Sequence, residues 1–467
     1  KRSDGTSRVQ VSPELVRVAS ASTTWQEPFD APLTDVFQVQ ADVAGRVAQA
    51  LGVALGTGER ERLGEQPTEN LAAYDAFLRG EDASDRMGTG SLARLRRAVA
   101  LYEQAVALDS AFVLAWVQLS RARTAVYANS TPSPATASAA YAAAERALRL
   151  APDRADVHLA LGDYYQGVLK DDARAFAEYA PGLRREPRHA ELVAASAAAE
   201  IGLGRWDDAL RHLREAVALD PRGPNPARRL ARTLLWLRRY PEALDAARRS
   251  TALAPADPLR YQTEAMIHLA QGDLAGAQAV LRSVPKDVEP TDLVASVANY
   301  WDLYWVLDEA QQQLLLRLTP TAFDDDRGAW GLSLAGTYAL RGDSARMRAF
   351  ADSARLALEE QLRDNPRDVQ VRMLHGVALA YLGRKAAAVQ EGERALALHS
   401  QVLEAYPYTR HQLARIYLLV GETDKAIDGL EWLLRVPYFL SPAWLKIDPT
   451  LAPLRGNPRF ERLVNGS

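Results

Sequence analysis

"LGRWDDALRHLREAVALDP", residues 203–221, carries punctuation at both ends and a pattern between them. Gly204 can close a preceding helix, because Gly tolerates the left-handed conformation of a helix C-terminus. Asp207 and Asp208 suit the positive end of a following helix. Apolar residues then recur at helical spacing as far as Asp220. Pro221 stops the helix, since it lacks a donor and clashes with the preceding turn.

The same sentence is spoken three times in succession. "LKDDARAFAEYAPGLRREP" (169–187) precedes the opening stretch and "LRRYPEALDAARRSTALAP" (237–255) follows it. Pro187, Pro221 and Pro255 stand 34 residues apart, and Ala175, Ala209 and Ala243 keep that interval. Gly272, Gly342, Gly383 and Gly421 punctuate later units in the same manner, with Asp273, Asp343 and Glu422 just after. Small residues such as Gly162, Ala231, Ala265, Gly376 and Ala414 would let paired helices approach closely. Pro152 and Pro366 close further helices.

A 34-residue period with small residues and a closing Pro resembles the tetratricopeptide repeat family. "HLALGDYY" (158–165) fits its first-helix signature through Leu161, Gly162 and Tyr165, and "WVQLSRA" (116–122) through Trp116 and Leu119, with Ser120 in place of Gly. The resemblance implies an all-α, right-handed superhelical solenoid of about eight or nine helix pairs between Leu71 and Val436. Units near 71–110, 111–152 and 343–366 carry insertions, and the helix running to Pro366 overshoots the repeat by about two turns. Residues 286–330 are degenerate, with "NYWDLYWVL" (299–307) expected as an aromatic-rich helix whose rings serve core packing.

Residues 1–60 follow a different rule. "RVQVSPELVRVASASTTWQEPFD" (8–30) alternates polar and apolar residues and predicts two or three short strands. "LTDVFQVQADVAGRVAQALGVAL" (33–55) predicts an amphipathic helix with Thr34 as N-cap. Together they make a partial α/β segment, a strand hairpin plus a helix. This stretch, the following "PTENLAAYDAFLRG" (67–80) and the tail "WLKIDPTLAPLRGNPRFERLV" (444–464) resemble the TolB-like end and flanks of certain bacterial signalling proteins. Those proteins are repeat-bearing Ser/Thr kinases, nucleotide cyclases and CadC-like regulators. The front of the TolB-like domain and any kinase, cyclase or DNA-binding head are absent here. The expected organisation is therefore a partial TolB-like segment (1–60), a first repeat array (61–285), an irregular helical repeat (286–342), a second array (343–436) and a capping tail (437–467).

Composition restricts the chemistry. The 467 residues are 48% apolar and carry a formal net charge of −3, so no global charge draws the chain to nucleic acid or an anionic membrane. Without Cys there are no disulfides, thiolate metal sites or Cys nucleophiles. No apolar run approaches the roughly 20 residues needed to cross a bilayer. The chain opens at Lys1 rather than Met, so a longer gene product is expected, and any membrane link would lie in the missing upstream segment. By analogy with the resembled proteins, a bacterial and extracytoplasmic location is favoured over a cytoplasmic one.

Catalytic motifs are missing: HExxH, a Walker loop, GxSxG and a helix-opening GxGxxG do not occur. "MGTGS" (87–91) reads as a loop within an expanded repeat, and "FDDDRG" (323–328) as a turn and helix cap rather than a calcium loop. No two of the seven His are spaced i, i+3 or i, i+4, so no metal site is expected. The expected protein is non-catalytic and needs no cofactor.

The family's geometry implies that first helices line a concave groove. Arg228 and Arg232 lie one turn apart on one face, and the 34-residue register puts Gln262 and Met266 after them. Arg121 and Asp163 precede them, and "RHQLARIYLLV" (410–420) repeats the arrangement with His411 and Arg415. The candidate partner-binding residues are therefore Arg121, Arg228, Arg232, Gln262, His411 and Arg415. The expected function is a protein-interaction scaffold or sensory module of a signalling protein that takes a protein or peptide. The alternative is a self-assembling structural protein, a homo-oligomer or filament built through strands in residues 1–30 and end-to-end stacking of the solenoids.

Overall fold

A computed structural model describes residues 8–12, 14–17, 22–26, 28–32, 42–43, 45–47, 66–85, 92–129, 133–286, 288–299, 301–398 and 406–465. The chain divides into two compact units, Lys1–Tyr74 and Asp75–Ser467.

In the first unit the alternating pattern yields four short strands rather than two or three: β1 (Arg8–Val11), β2 (Glu14–Arg17), β3 (Ser22–Gln26) and β4 (Phe29–Pro32). β2 pairs antiparallel with β3, and β1 with β4, so the arms form one nested hairpin. The register places Val9 opposite Ala31 and Leu15 opposite Trp25, with an irregularity between Leu15 and Val16. Within the expected helix at 33–55, residues 42–43 and 45–47 are helical, while Thr34 lies outside the described residues.

The rest is helical. Pair 1 joins Leu71–Asp85 with Leu92–Leu108, pair 2 Val113–Asn129 with Pro134–Leu150, and pair 3 Ala155–Gly167 with Asp172–Arg185. Pair 4 joins Ala190–Gly202 with Trp206–Leu219, pair 5 Pro224–Trp236 with Tyr240–Leu253, and pair 6 Pro258–Ala270 with Leu274–Arg282. Pair 7 is the shortened Pro290–Ala298 with Glu309–Leu315. Pair 8 joins Arg327–Leu340 with Ser344–Asp364, pair 9 Val369–Tyr381 with Lys385–Leu398, and pair 10 Tyr406–Val420 with Thr423–Arg435. Nine of these are regular, and from pair 2 to pair 6 and again from pair 8 to pair 10 each helix packs on the next in an all-α solenoid. First helices of successive pairs also pack on one another from pair 2 to pair 7 and from pair 8 to pair 10, which puts them on the inner curve.

The turn chemistry is periodic. Residues 170, 204, 238 and 272 share one register and all adopt positive φ: Lys170 at 55°, Gly204 at 75°, Arg238 at 58° and Gly272 at 79°. Close approach matters as well: a Cβ on Gly162 would run into the Tyr179 ring. The helix Ser344–Asp364 has 21 residues against 14 in Trp206–Leu219, the expected overshoot of two turns. "MGTGS" falls outside the described residues.

Two features differ from the reading of the sequence. The described residues of the 299–307 stretch, 299 and 301–307, do not form an α-helix. Asp302 takes left-handed φ 57°, and a 3-10 turn follows over Leu303–Trp305. Leu303, Tyr304, Trp305, Val306 and Leu307 are all buried, and a surface helix has only one stripe to bury. The aromatics do pack in the core as expected: the Trp301 ring meets Tyr408 at 5.6 Å and Phe439 at 5.2 Å.

The tail also does more than cap. It covers pair 10, where Phe460 is 2% exposed and Arg459 reaches Asp428 at 2.6 Å and Glu431 at 3.1 Å. Before that, its start turns back to pairs 5 and 6. Tyr438 N–H donates to the Trp236 carbonyl at 3.1 Å, and Ser441 Oγ to that of Ala270 at 2.6 Å. One continuous core consequently runs from Ala197 through Trp305 and Trp444 to Phe460.

Candidate functional site

The inner positions of pairs 2–4 form a charged bridge. Arg121, on the first helix of pair 2, donates through Nε to Asp163 of pair 3 at 2.9 Å and reaches Glu191 of pair 4 with its other nitrogens. Tyr179 OH donates to the second Asp163 oxygen at 3.1 Å. Burial works against the Arg121 charge, but Glu191 and Asp163 more than offset it, so its pKa is raised. Burial likewise opposes the Glu191 charge, yet Arg121, His189 and Arg229 hold its pKa below the ordinary value. Glu191 is 56% exposed, which leaves the bridge open to solvent on that side.

Pair 5 continues the line with cations. Its first helix carries Arg228, Arg229 and Arg232, none of them fully buried. The Arg232 guanidinium lies 5.2 Å from the centre of the Trp236 ring. Arg228 Nε is buried and has no hydrogen-bond partner. Its pKa is drawn down to about 9, first by burial, then by the like charge of Arg232, with Asp257 pulling the other way.

Three candidate residues have other duties. Gln262 is 5% exposed and donates to the Ser296 carbonyl at 2.8 Å, near the C-terminal end of its helix, where carbonyls lack intrahelical partners. Arg415 binds Asp302 at 2.6 Å and the Tyr381 hydroxyl at 2.9 Å. Gln412 completes that site by donating to Asp302 at 2.7 Å. His411 packs edge-on to Phe439 and sits 3.3 Å from Tyr438 OH. Burial pushes its pKa down to about 4, Asp302 opposing this and Arg415 adding to it. The 301–305 turn thus covers the inner face of pairs 9 and 10. The expected groove positions divide accordingly: Arg121, Arg228 and Arg232 lie together along pairs 2–5, while Gln262, His411 and Arg415 are engaged within the second half. Met266, in register with Arg232, is core at 5% exposure.

Arg238 was not singled out by sequence reasoning, although a signal existed. It stands where the register elsewhere has Gly204 and Gly272, and a non-Gly residue there carries a conformational cost. Its Nη2 lies 2.8 Å from the Leu434 carbonyl and within 3.4 Å of those of Leu433, Val436 and Leu440, at the end of the last regular helix. Glu191 and Asp302 carried no sequence signal. In "FDDDRG", Asp324 and Asp325 adopt left-handed φ, and Asp326 caps the following helix by accepting from Gly328 and Ala329 N–H, as the sequence predicts. Among the described residues, no group of three His, Asp or Glu could hold a metal ion, and no helix is long and apolar enough to cross a membrane.

Comparison with known proteins matches part of the repeat array. The tetratricopeptide repeat family model matches residues 200–264. A curated relative described as an adenylate cyclase of Rhizobium meliloti (strain 1021) is 30% identical over 76 residues, 16% of this chain, so the match spans 13% of the cyclase. Among solved structures, the human IFIT1 dimer with PPP-AAAA is similar at 14% identity over 77% of this chain and 78% of that one, TM-score 0.44. The APC/C hetero-tetramer Cut9-Hcn1 gives 16% identity over 72% and 55%, TM-score 0.43. The type IV pilus biogenesis factor PilW gives 19% over 51% and 99%, TM-score 0.36. The matched repeat falls within pairs 4–6, and the 34-residue register and stacked helix pairs on either side continue it as an all-α solenoid of tetratricopeptide type.

Proposed function

We propose that the chain is a non-catalytic protein-interaction scaffold whose partner, a protein or peptide segment, docks on the inner face of pairs 2–5. The observation that carries this is the division of the inner positions. In pairs 9 and 10 they are covered by the 301–305 turn, and Gln262 in pair 6 is tied to Ser296. In pairs 2–5, Arg121, Asp163, Glu191, Arg228, Arg229 and Arg232 form a partly exposed polar line crossing four repeats. Repeat arrays present such extended surfaces because each unit contributes only a few side chains. The cyclase relative supports placing the scaffold in a bacterial signalling protein, as a sensory or docking module beside a catalytic region.

A photo-crosslinking side chain in place of Arg232 tests the surface. The control position is Arg248, on the outer helix of the same pair with its side chain 60% exposed. In native extract, adducts to one reproducible peptide sequence are expected from position 232 and not from 248. Equal labelling at both positions, or labelling only at 248, would reject inner-face docking.

A further inference from the structure

Cations outnumber carboxylates at the junction of pairs 5 and 6. Arg228, Arg229 and Arg232 come from one helix and Arg260 from the next first helix. Asp257 is the carboxylate acting on Arg228, and it is already committed. Its Oδ1 accepts from Leu259 N–H at 3.0 Å, and its Oδ2 lies 3.2 Å from Arg260 Nε. Arg260 is further held by the Pro224 carbonyl, Ser250 Oγ and Asn225 Oδ1. Arg228 has no such support: it makes no hydrogen bond or ion pair among the described residues, and its Nε is buried. Arg229 makes no ion pair there either, although its charge reaches Glu191.

A guanidinium removed from water without a counter-charge is disfavoured, and an incoming anion removes that penalty. Resting on the docking reading above, we infer that Arg228, with Arg229 beside it, receives a side-chain carboxylate from an acidic segment of the partner. The planar guanidinium fork matches a carboxylate in two-pronged fashion. Docking would exclude water and strengthen the pair. The flanking charges select the partner's class. Asp163 and Glu191 lie next along the same face, and the chain as a whole carries net charge −3. A continuous phosphate backbone would meet those carboxylates, whereas a peptide can present one acid to Arg228 and a different residue beside Glu191.

Fluorescence anisotropy with the full chain tests this. The probes are a ten-residue peptide alternating Glu with Ser, its Gln-for-Glu counterpart, and a ten-nucleotide single-stranded RNA. The Glu peptide is expected to bind at least ten-fold more tightly than the Gln peptide. R228Q should abolish that difference, R228K should keep part of it, and R248Q on the outer helix should leave it intact. R228Q should also melt at or above the wild-type temperature, because it removes an unpaired charge. A lower melting temperature would assign Arg228 a structural role and overturn the inference. Equal binding of Glu and Gln peptides would overturn it as well, as would Arg228-dependent binding of the RNA alone. If acid preference is absent while crosslinks from position 232 persist, only the acidic chemistry fails. If the crosslinks are lost too, the docking reading fails with it.

Discussion

Pair 3 buries Tyr179 against Gly162, and its core neighbours Ala155, Leu159, Ala175, Leu192, Ala195 and Ala199 all come from one stretch of chain. Trp444 buries its ring against Trp305 and Phe439, in a core that also includes Trp236, Leu269 and Phe460. Both regions are built from the same helix pairs. Pairs 2–4 hold several small cores, each shared by neighbouring helices. Pairs 5–7, pair 10 and the tail share one large core, which reaches back to Ala197 in pair 4 through contacts between residues far apart in sequence, while a separate core runs from Leu332 to Val420. The first arrangement leaves its inner face partly exposed. The second spends its inner face on itself. A repeat array thereby holds two modes of packing without changing its building unit.

Removing the Trp444 ring should break that contrast most severely. Trp444→Ala is expected to destabilise the second half by about 3–5 kcal/mol, the usual range for a buried aromatic. Urea unfolding followed by near-UV dichroism should then separate into two transitions, with the one from pairs 2–4 unmoved. A single transition shifted as a whole would show that both regions unfold together.

Arg238→Gly probes the stitch more gently. Gly retains the left-handed turn and deletes only the guanidinium. The loss should be about 1.5–3 kcal/mol, the scale of hydrogen bonds made by a charged donor. Hydrogen exchange should accelerate in residues 433–447, and faster exchange in pairs 2–4 would contradict the confinement.

Acid should act on the same half. The His411 pKa is depressed to about 4 by burial, with Arg415 adding to the effect and Asp302 opposing it. The unfolded chain therefore binds more protons between pH 6.5 and 4, so stability is present above about pH 6.5 and is lost as pH falls towards 4. Lowering the pH from 7 to 5 should cost about 1–2 kcal/mol in the second half. His411→Asn should flatten that dependence. An unchanged slope in the variant would assign the acid sensitivity to another group.

Most of the helical scaffold was legible in the sequence. Period 34, the closing prolines and the left-handed glycines act within one or two turns of chain, so they can be read locally. The cation line of pair 5 was legible for the same reason, since Arg228 and Arg232 are set one turn apart by helix geometry alone. The 299–307 segment misled because its apolar run fits a helix and a buried turn equally well. Arg415 and His411 were correctly placed on a first helix, yet their environment depends on Asp302, more than a hundred residues away, and no local rule names that partner.

The sequence by itself determined the repeat unit, its period, the break in that period over residues 286–330 and the faces on which the arginines lie. All of these follow from hydrogen bonds and packing within a few turns. Tertiary structure alone decided which inner faces stay open. That choice turns on a left-handed Arg238, a kink at Asp302 and a returning tail, whose contacts form only once distant pairs have been stacked.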